Sequence, residues 1–276
     1  MGIKKIIKKF LLGKGYEIFR RYYYDFNADD SIQKILKHVG INFNNIIILD
    51  VGANVGQSVD RFRRYMPNSK IFSFEPNPEV FSKLLLKEKI DKNLKCFNLG
   101  VGSIKKTIPF FINPDSGSNS FYKINLDGDS FALSHSEEAK KNHNKTTLKQ
   151  TVEYNTEINV PVDTLNNICN SENINNIDIL KIDTQGYEEE VLKGADSILS
   201  NTLIVEAEVM FGDSYEKSST LRGIESQLHK FGFILWEIPY IGKFATDDFN
   251  SINFIDVQFV NMNLVNLKIK NNVISR

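Results

Sequence analysis

Short apolar runs and helical stripes follow one another along this chain. Ile46-Ile47-Ile48-Leu49 is an unbroken apolar run and predicts a buried parallel strand. Val55, Val59 and Phe62 then recur at helical spacing, so a helix starts inside the glycine-rich turn that follows the run. Lys70 to Phe74 predicts a second strand. Asn77 and Pro78 supply an N-cap and a first helical residue, and Phe81, Leu84 and Leu85 form the inner face of that helix. Leu94 to Leu99 predicts a third strand ending at Gly100-Val101-Gly102, and Thr107 to Ile112 another. Val152, Tyr154, Thr156, Ile158 and Val160 alternate as a strand does, and Asp163 is placed to cap a short helix. Ile177 to Ile182 is a further buried strand, Glu188 to Leu199 a helix, and Thr202 to Glu208 the next strand. Leu221, Ile224, Leu228 and Phe231 mark a helix stopped by Gly232. Phe233 to Ile238 and Phe254 to Val260 are strands with no obvious helix between them, which predicts an antiparallel hairpin at one edge. Strands alternating with helices predict a doubly wound parallel α/β sheet.

Two regions stand apart from this rhythm. The first 45 residues precede the first core strand and read as an N-terminal helical extension to a domain spanning 46–276. Ile3, Ile6, Ile7, Phe10 and Leu11 form an apolar stripe, with Lys4, Lys5, Lys8, Lys9 and Lys14 mostly off it. The favoured reading is a helix that packs on the domain or on a partner subunit; a weak membrane contact through the stripe is the alternative. A second helix is expected from Ser31 to Val39, capped by Asp29 or Asp30 and ended by Gly40. The other region is a long polar stretch at about 113–150, containing Ser116-Gly117-Ser118-Asn119-Ser120. A segment of that length inside a compact domain is a functional lid or a disordered insertion.

Composition narrows the class rather than the chemistry. Lys+Arg and Asp+Glu both number 34, so net charge points to no nucleic-acid partner. Two cysteines, Cys96 and Cys169, make neither a disulfide framework nor a metal cluster, which fits a reducing cytoplasm. No apolar run has the length of a membrane span, and the N-terminus lacks the features of a signal peptide.

The candidate chemistry begins in the first turn, Asp50-Val51-Gly52-Ala53-Asn54-Val55-Gly56-Gln57-Ser58. Gly52 and Gly56 let the backbone come close to a ligand. Glu75, at the tip of the second strand, is where an acid binds the hydroxyls of a ribose. Together they predict a nucleoside site. The glycine pattern is not the G-x-G-x-x-G of a nicotinamide fold. Asp50 before the first glycine repels a pyrophosphate and suits an ammonium, which favours S-adenosylmethionine.

These motifs, with Phe74-Glu75-Pro76-Asn77-Pro78, Gly100-Val101-Gly102-Ser103, Leu180-Lys181-Ile182-Asp183-Thr184-Gln185-Gly186-Tyr187-Glu188 and Val191-Leu192-Lys193-Gly194-Ala195, resemble the FkbM family of S-adenosylmethionine-dependent methyltransferases. The resemblance covers roughly Ile46 to Val260. It implies a Rossmann-like class I methyltransferase fold, with a doubly wound, mostly parallel seven-stranded sheet. It also implies O-methylation of small molecules, often sugars or glycosylated products. Carried onto this chain, Asp50, Gly52, Asn54 and Gly56, with Gln57 and Ser58, would hold the methionine end. Glu75 would bind the ribose, Pro76 and Asn77 would flank the adenine, and Leu99 and Gly100 would lie near the adenine or sulfonium.

An alcohol acceptor must lose a proton, and strand-tip acids are the candidates to take it. Asp183 ends the fourth strand of the nucleotide fold and Glu208 the fifth, so both face the crevice. Asp183 would also approach the cofactor; its structural alternative is an N-cap for the helix that follows. His135, and with it His143, lies in the long polar segment, from which a lid histidine could reach the site as base. Tyr187 and Tyr215 are candidates to line the acceptor pocket. A divalent metal between Asp183 and Glu208 is disfavoured, because the paired acids such a site uses after the fifth strand are missing. The leading function is O-methylation of a hydroxyl on a sugar, sugar nucleotide or surface-polysaccharide unit, with a homodimer as one arrangement. A nicotinamide-dependent oxidoreductase and a catalytically inactive nucleoside-binding module are the alternatives.

Overall fold

The computed structural model describes residues 31–135, 153–245 and 250–274. The apolar stripe of the first eleven residues, the Asp29 or Asp30 cap and His143 lie outside them. Helix α1 covers residues 31–38 and turns Ile32, Ile35 and Leu36 into the core. The elements that follow are β1 (Ile47–Val51), α2 (Gln57–Tyr65), β2 (Lys70–Phe74), α3 (Pro78–Glu88), β3 (Leu94–Phe97), β4 (Gly100–Val101) and β5 (Lys106–Ile112). Then come α4 (Asp129–His135), β6 (Thr156–Asp163), α5 (Leu165–Ser171), β7 (Ile177–Ile182), α6 (Glu188–Lys193), α7 (Asp196–Leu199) and β8 (Thr202–Met210). The chain ends in α8 (Leu221–His229), β9 (Phe233–Ala245), β10 (Asn250–Asn261) and α9 (Met262–Ile274).

Seven strands form the main sheet in the order β3-β2-β1-β7-β8-β10-β9. All neighbours are parallel up to β8, and β10 runs antiparallel to both β8 and β9. The hairpin expected at the edge is therefore present, with longer strands than the sequence pattern marked. The chain leaves β1 toward β2 on one side, while β7 lies on the other. A crevice opens where neighbouring strands part in this way, at their carboxyl ends.

The sheet's register stacks its side chains in layers. On one face Ile48, Ile179, Ile204 and Val260 belong to an apolar cluster closed by α1 and α2. The next row toward the cleft is polar: Asp50 pairs with Lys181, Lys181 with Glu206, and Glu206 with Gln258. Arg61 of α2 covers this row, with Nη2 2.7 Å from Glu206 Oε1. The charges alternate along the row, and this pairing is what lets a buried row of ionic groups persist.

Several expectations need correction. The third strand stops at Phe97, because Asn98 turns its Nδ2 to donate to the carbonyls of Glu75 and Pro76. Gly100–Val101 then joins a second, three-stranded sheet, β4-β6-β5, that the sequence pattern did not assemble. The helix predicted from Glu188 to Leu199 is two helices, broken where Gly194 meets the backbone of Gly102; a Cβ there would lie 2.0 Å from the Gly102 carbonyl oxygen. Thr164, not Asp163, caps α5, its hydroxyl accepting from the Asn167 N–H at 3.1 Å. Among the described residues no helix is long and apolar enough to cross a membrane.

Candidate active site

A cleft of about 310 Å³ lies over the carboxyl ends of β1, β2 and β7. Its floor is the turn after β1. Gly52 takes φ +83° and Asn54 φ +48°, and a Cβ on Gly52 would stand 1.8 Å from the Asp183 carbonyl oxygen. Only a glycine permits that approach of two strand ends. Gln57 and Ser58, the first residues of α2, complete the floor.

Glu75 lines the same cleft and is almost wholly buried. Its Oε2 accepts from the Asn54 N–H at 3.0 Å and its Oε1 from the Asn77 N–H at 2.9 Å. Burial pushes this carboxyl up to about 7, against the pull of those two N–H groups and with a further push from Asp50 and Asp183. Each oxygen keeps a second lone pair, so the carboxylate can still accept two hydroxyl protons. Pro76, Leu99 and Gly100 line the cleft beside it, with Phe74, Val101, Phe110 and Phe121 adding apolar surface.

Three residues expected at the cofactor lie elsewhere. Asp50 is fully enclosed beneath the floor, in the polar row, where Ser73 Oγ donates to it at 3.4 Å. Burial raises its pKa, opposed by Lys181. Gly56 takes φ +85° to start α2, and its Cα faces Lys87 and Leu84. Asn77 caps α3, its side chain accepting from the N–H groups of Glu79 and Val80. Strand periodicity explains Asp50: it points to the sheet face two residues below Gly52.

The strand-tip acids meet at the far end of the cleft. Asp183 Oδ2 accepts from Lys181 Nζ at 2.9 Å. The Lys181 side chain is buried, and although burial alone works against its ammonium, Asp183, Asp50 and Glu206 raise its pKa above the ordinary lysine value. Glu208 is nearly enclosed; burial first, then Asp183 and Asp256, raise its carboxyl well above the usual range. Asp183 does not cap the following helix. Glu188 organises that turn instead, its Oε1 accepting from Thr184 N at 3.0 Å, Thr184 Oγ1 at 2.9 Å and Gly186 N at 3.0 Å.

The polar segment after β5 forms the opposite wall. Ser116, Gly117 and Asn119 line the cleft, and Ser116 Oγ donates to Asn54 Oδ1 at 3.0 Å. Asp213 then caps α4, accepting from the N–H groups of Asp129 and Ser130 at 2.9 Å each. His135 ends α4, and its side chain lies outside the described residues. Tyr215 places its hydroxyl within 3.1 Å of Gln185 Oε1, behind the cleft wall. Tyr187 is not in the wall: it packs between Phe121 and Tyr122. Thr184, Gln185 and Phe121 also line the cleft, and no sequence signal marks any of them singly. Gln185 was visible only as part of the Asp-Thr-Gln-Gly run.

A family model described as the methyltransferase FkbM domain matches residues 50–235. The 2-O-methyltransferase NoeI of Sinorhizobium fredii is 28% identical over 190 residues, covering 68% of this chain and 73% of the relative. The methyltransferase sdnD of Sordaria araneosa is 28% identical over 224 residues, covering 76% of this chain and 81% of the relative. Among solved structures, the precorrin-6y C5,15-methyltransferase of Geobacter metallireducens is 13% identical with a TM-score of 0.40, covering 83% of this chain and 86% of that one.

Proposed function

The chain belongs to the FkbM methyltransferase family and is a methyltransferase, and from that premise we propose that it moves a methyl group from S-adenosylmethionine to a hydroxyl of a sugar, sugar nucleotide or surface-polysaccharide unit. The observation that carries this reading is one cleft holding Glu75 at one end and Asp183 with Glu208 at the other. A nicotinamide-dependent oxidoreductase is set aside by the family match. The name of NoeI specifies an oxygen acceptor, which supports the choice of a hydroxyl. The sugar class comes from the family resemblance.

The residues present fit the cofactor. The Glu75 carboxylate has free lone pairs for two ribose hydroxyls, and Phe74, Pro76, Leu99 and Val101 offer apolar surface to a base. Gly52, Asn54, Gln57 and Ser58 would hold the amino-acid end. When bound, S-adenosylmethionine supplies a methyl group on a positively charged sulfur. The protein must hold the acceptor oxygen in line with that methyl, and such positioning is worth up to roughly 7–11 kcal/mol of the barrier. Asp183, partly exposed at the cleft and anchored by Lys181, would orient the acceptor hydroxyl and receive its proton. Glu208, whose carboxyl burial and the neighbouring Asp183 push upward, would face the same acceptor from the β8 side.

Purified protein should transfer label from S-adenosylmethionine to members of a panel of glycosides and sugar nucleotides. Transfer to no hydroxyl in that panel, together with a nicotinamide nucleotide copurifying with the protein, would overturn the reading. Turnover is expected to be unchanged by EDTA, since the proton acceptor proposed is a side chain; strong inhibition would restore the metal alternative.

A further inference from the structure

Asp183 and Glu208 do not touch the same water-facing space by chance of register; one side chain stands between them. Gln185 Nε2 donates to Asp183 Oδ1 at 3.0 Å and also to Glu208 Oε2. Its Oε1 lies 3.1 Å from the Tyr215 hydroxyl, which is also 3.1 Å from the Ser118 carbonyl oxygen. The Gln185 backbone carbonyl accepts from Ser120 Oγ at 2.8 Å. An amide side chain has two N–H donors and one carbonyl oxygen. Both N–H donors are in use, while the oxygen shares the single Tyr215 hydroxyl proton with the Ser118 carbonyl; turned over, the oxygen would face the Asp183 carboxylate.

The backbone adds an independent observation. Gln185 takes φ +56°, in the left-handed region where residues with a side chain are uncommon. A glycine would relieve that conformation, yet the chain carries a long polar side chain here. An outlier of this kind persists when the surrounding structure over-determines it, and such outliers cluster at working sites.

We propose that Gln185 is a positioning residue for methyl transfer, fixing Asp183 and Glu208 relative to each other and tying both to the wall that carries Ser118 and Ser120. This rests on the reading of Asp183 and Glu208 as the groups that face the acceptor. Two adjacent acids repel or share protons. An amide donating to both keeps them together with their rotamers set. The same amide joins them through Tyr215 to the segment after β5.

Two variants test this. Gln185→Gly keeps the left-handed backbone and removes the amide. Gln185→Glu keeps the shape and places a third carboxyl among the acids. Each is assayed with labelled S-adenosylmethionine on the panel of glycosides and sugar nucleotides, with S-adenosylhomocysteine affinity measured by calorimetry. For Gln185→Gly, kcat should fall by about fiftyfold, with S-adenosylhomocysteine affinity and acceptor KM each within about threefold of wild type. Gln185→Glu should lose at least as much. Amide hydrogen exchange across residues 116–122 in the S-adenosylhomocysteine complex should rise in Gln185→Gly by about tenfold. Wild-type kcat in both variants would overturn the inference while leaving the function standing. If the wild type methylates nothing in the panel, the acceptor class fails instead, and the exchange measurement decides: protection unchanged in Gln185→Gly would overturn the positioning role.

Discussion

The two ends of the cleft are built in different ways. The proposed cofactor end comes mainly from one stretch, β1 through the start of α3, with Leu99 to Val101 beside it, and its shape is a backbone shape. Positive φ angles at Gly52 and Asn54 set the turn, and main-chain N–H groups fix Glu75. The proposed acceptor end draws on four separated stretches: the tip of β7, the end of β8, the loop holding Tyr215 and the segment after β5. It is held by side-chain hydrogen bonds that converge on Gln185. A backbone turn tolerates little change in sequence, because its geometry depends on specific φ values. A side-chain network can be re-dressed residue by residue. The difference fits a division of labour in which one end serves a constant ligand and the other a variable one.

The strongest test of this contrast strikes where the two ends touch. Gly52→Ala puts a methyl group into the Asp183 carbonyl, 1.8 Å away, at a backbone angle that penalises any side chain. We expect a loss of about 3 kcal/mol in denaturant unfolding, with both cofactor affinity and turnover impaired. A variant of wild-type stability would show the two strand ends to be less tightly joined than the geometry requires.

Asp183→Asn should separate the ends. It keeps the shape and removes the charge that Lys181 faces, so kcat should fall by at least about a hundredfold. S-adenosylhomocysteine affinity should stay within a few-fold, as calorimetry will report. Near-normal kcat would shift the role to Glu208 or to a histidine of the polar segment. Glu75→Gln should do the opposite, weakening the cofactor by more than about tenfold, the worth of a charge-assisted hydrogen bond. Its amide would also oppose one of the two N–H groups it now accepts from, so some loss of melting temperature should accompany it. Unaltered affinity would remove Glu75 from the ribose.

The smallest effect is a pH dependence of the proposed cofactor end. Glu75 titrates in the folded protein at about 7, above its ordinary value. Its neutral form therefore favours the fold below the ordinary carboxyl range, and that contribution is lost as pH rises through about 7. Ribose hydroxyls donate to the charged form, so binding works in the other direction. Cofactor affinity should be flat above pH 8 and fall by up to about tenfold for each unit below 7. Calorimetry at three pH values checks this; an affinity that rises as pH falls would contradict it.

The sequence by itself determined the glycine turn, the acid at the tip of the next strand and the succession of core strands along the chain. Apolar runs, a glycine turn and an acid one strand later are local signals, each set by neighbours within a few residues. It also put Asp183 at the tip of β7 and Glu208 near the end of β8, which continues to Met210, because a strand's end and a parallel sheet's crevice follow from the same pattern. Tertiary structure alone decided the rest. Asp50 sits in the motif but belongs to the buried row with Lys181 and Glu206, a fact of sheet register across four strands. Ser116, Gly117 and Asn119 read as a polar loop and became a wall of the cleft, with Ser116 bonded to Asn54 and the adjoining Ser120 to Gln185, contacts between residues far apart in the chain. Gln185 itself was one letter in a familiar run. Its importance arises from three partners that only folding brings together, since hydrogen bonds between distant side chains leave no periodicity in sequence.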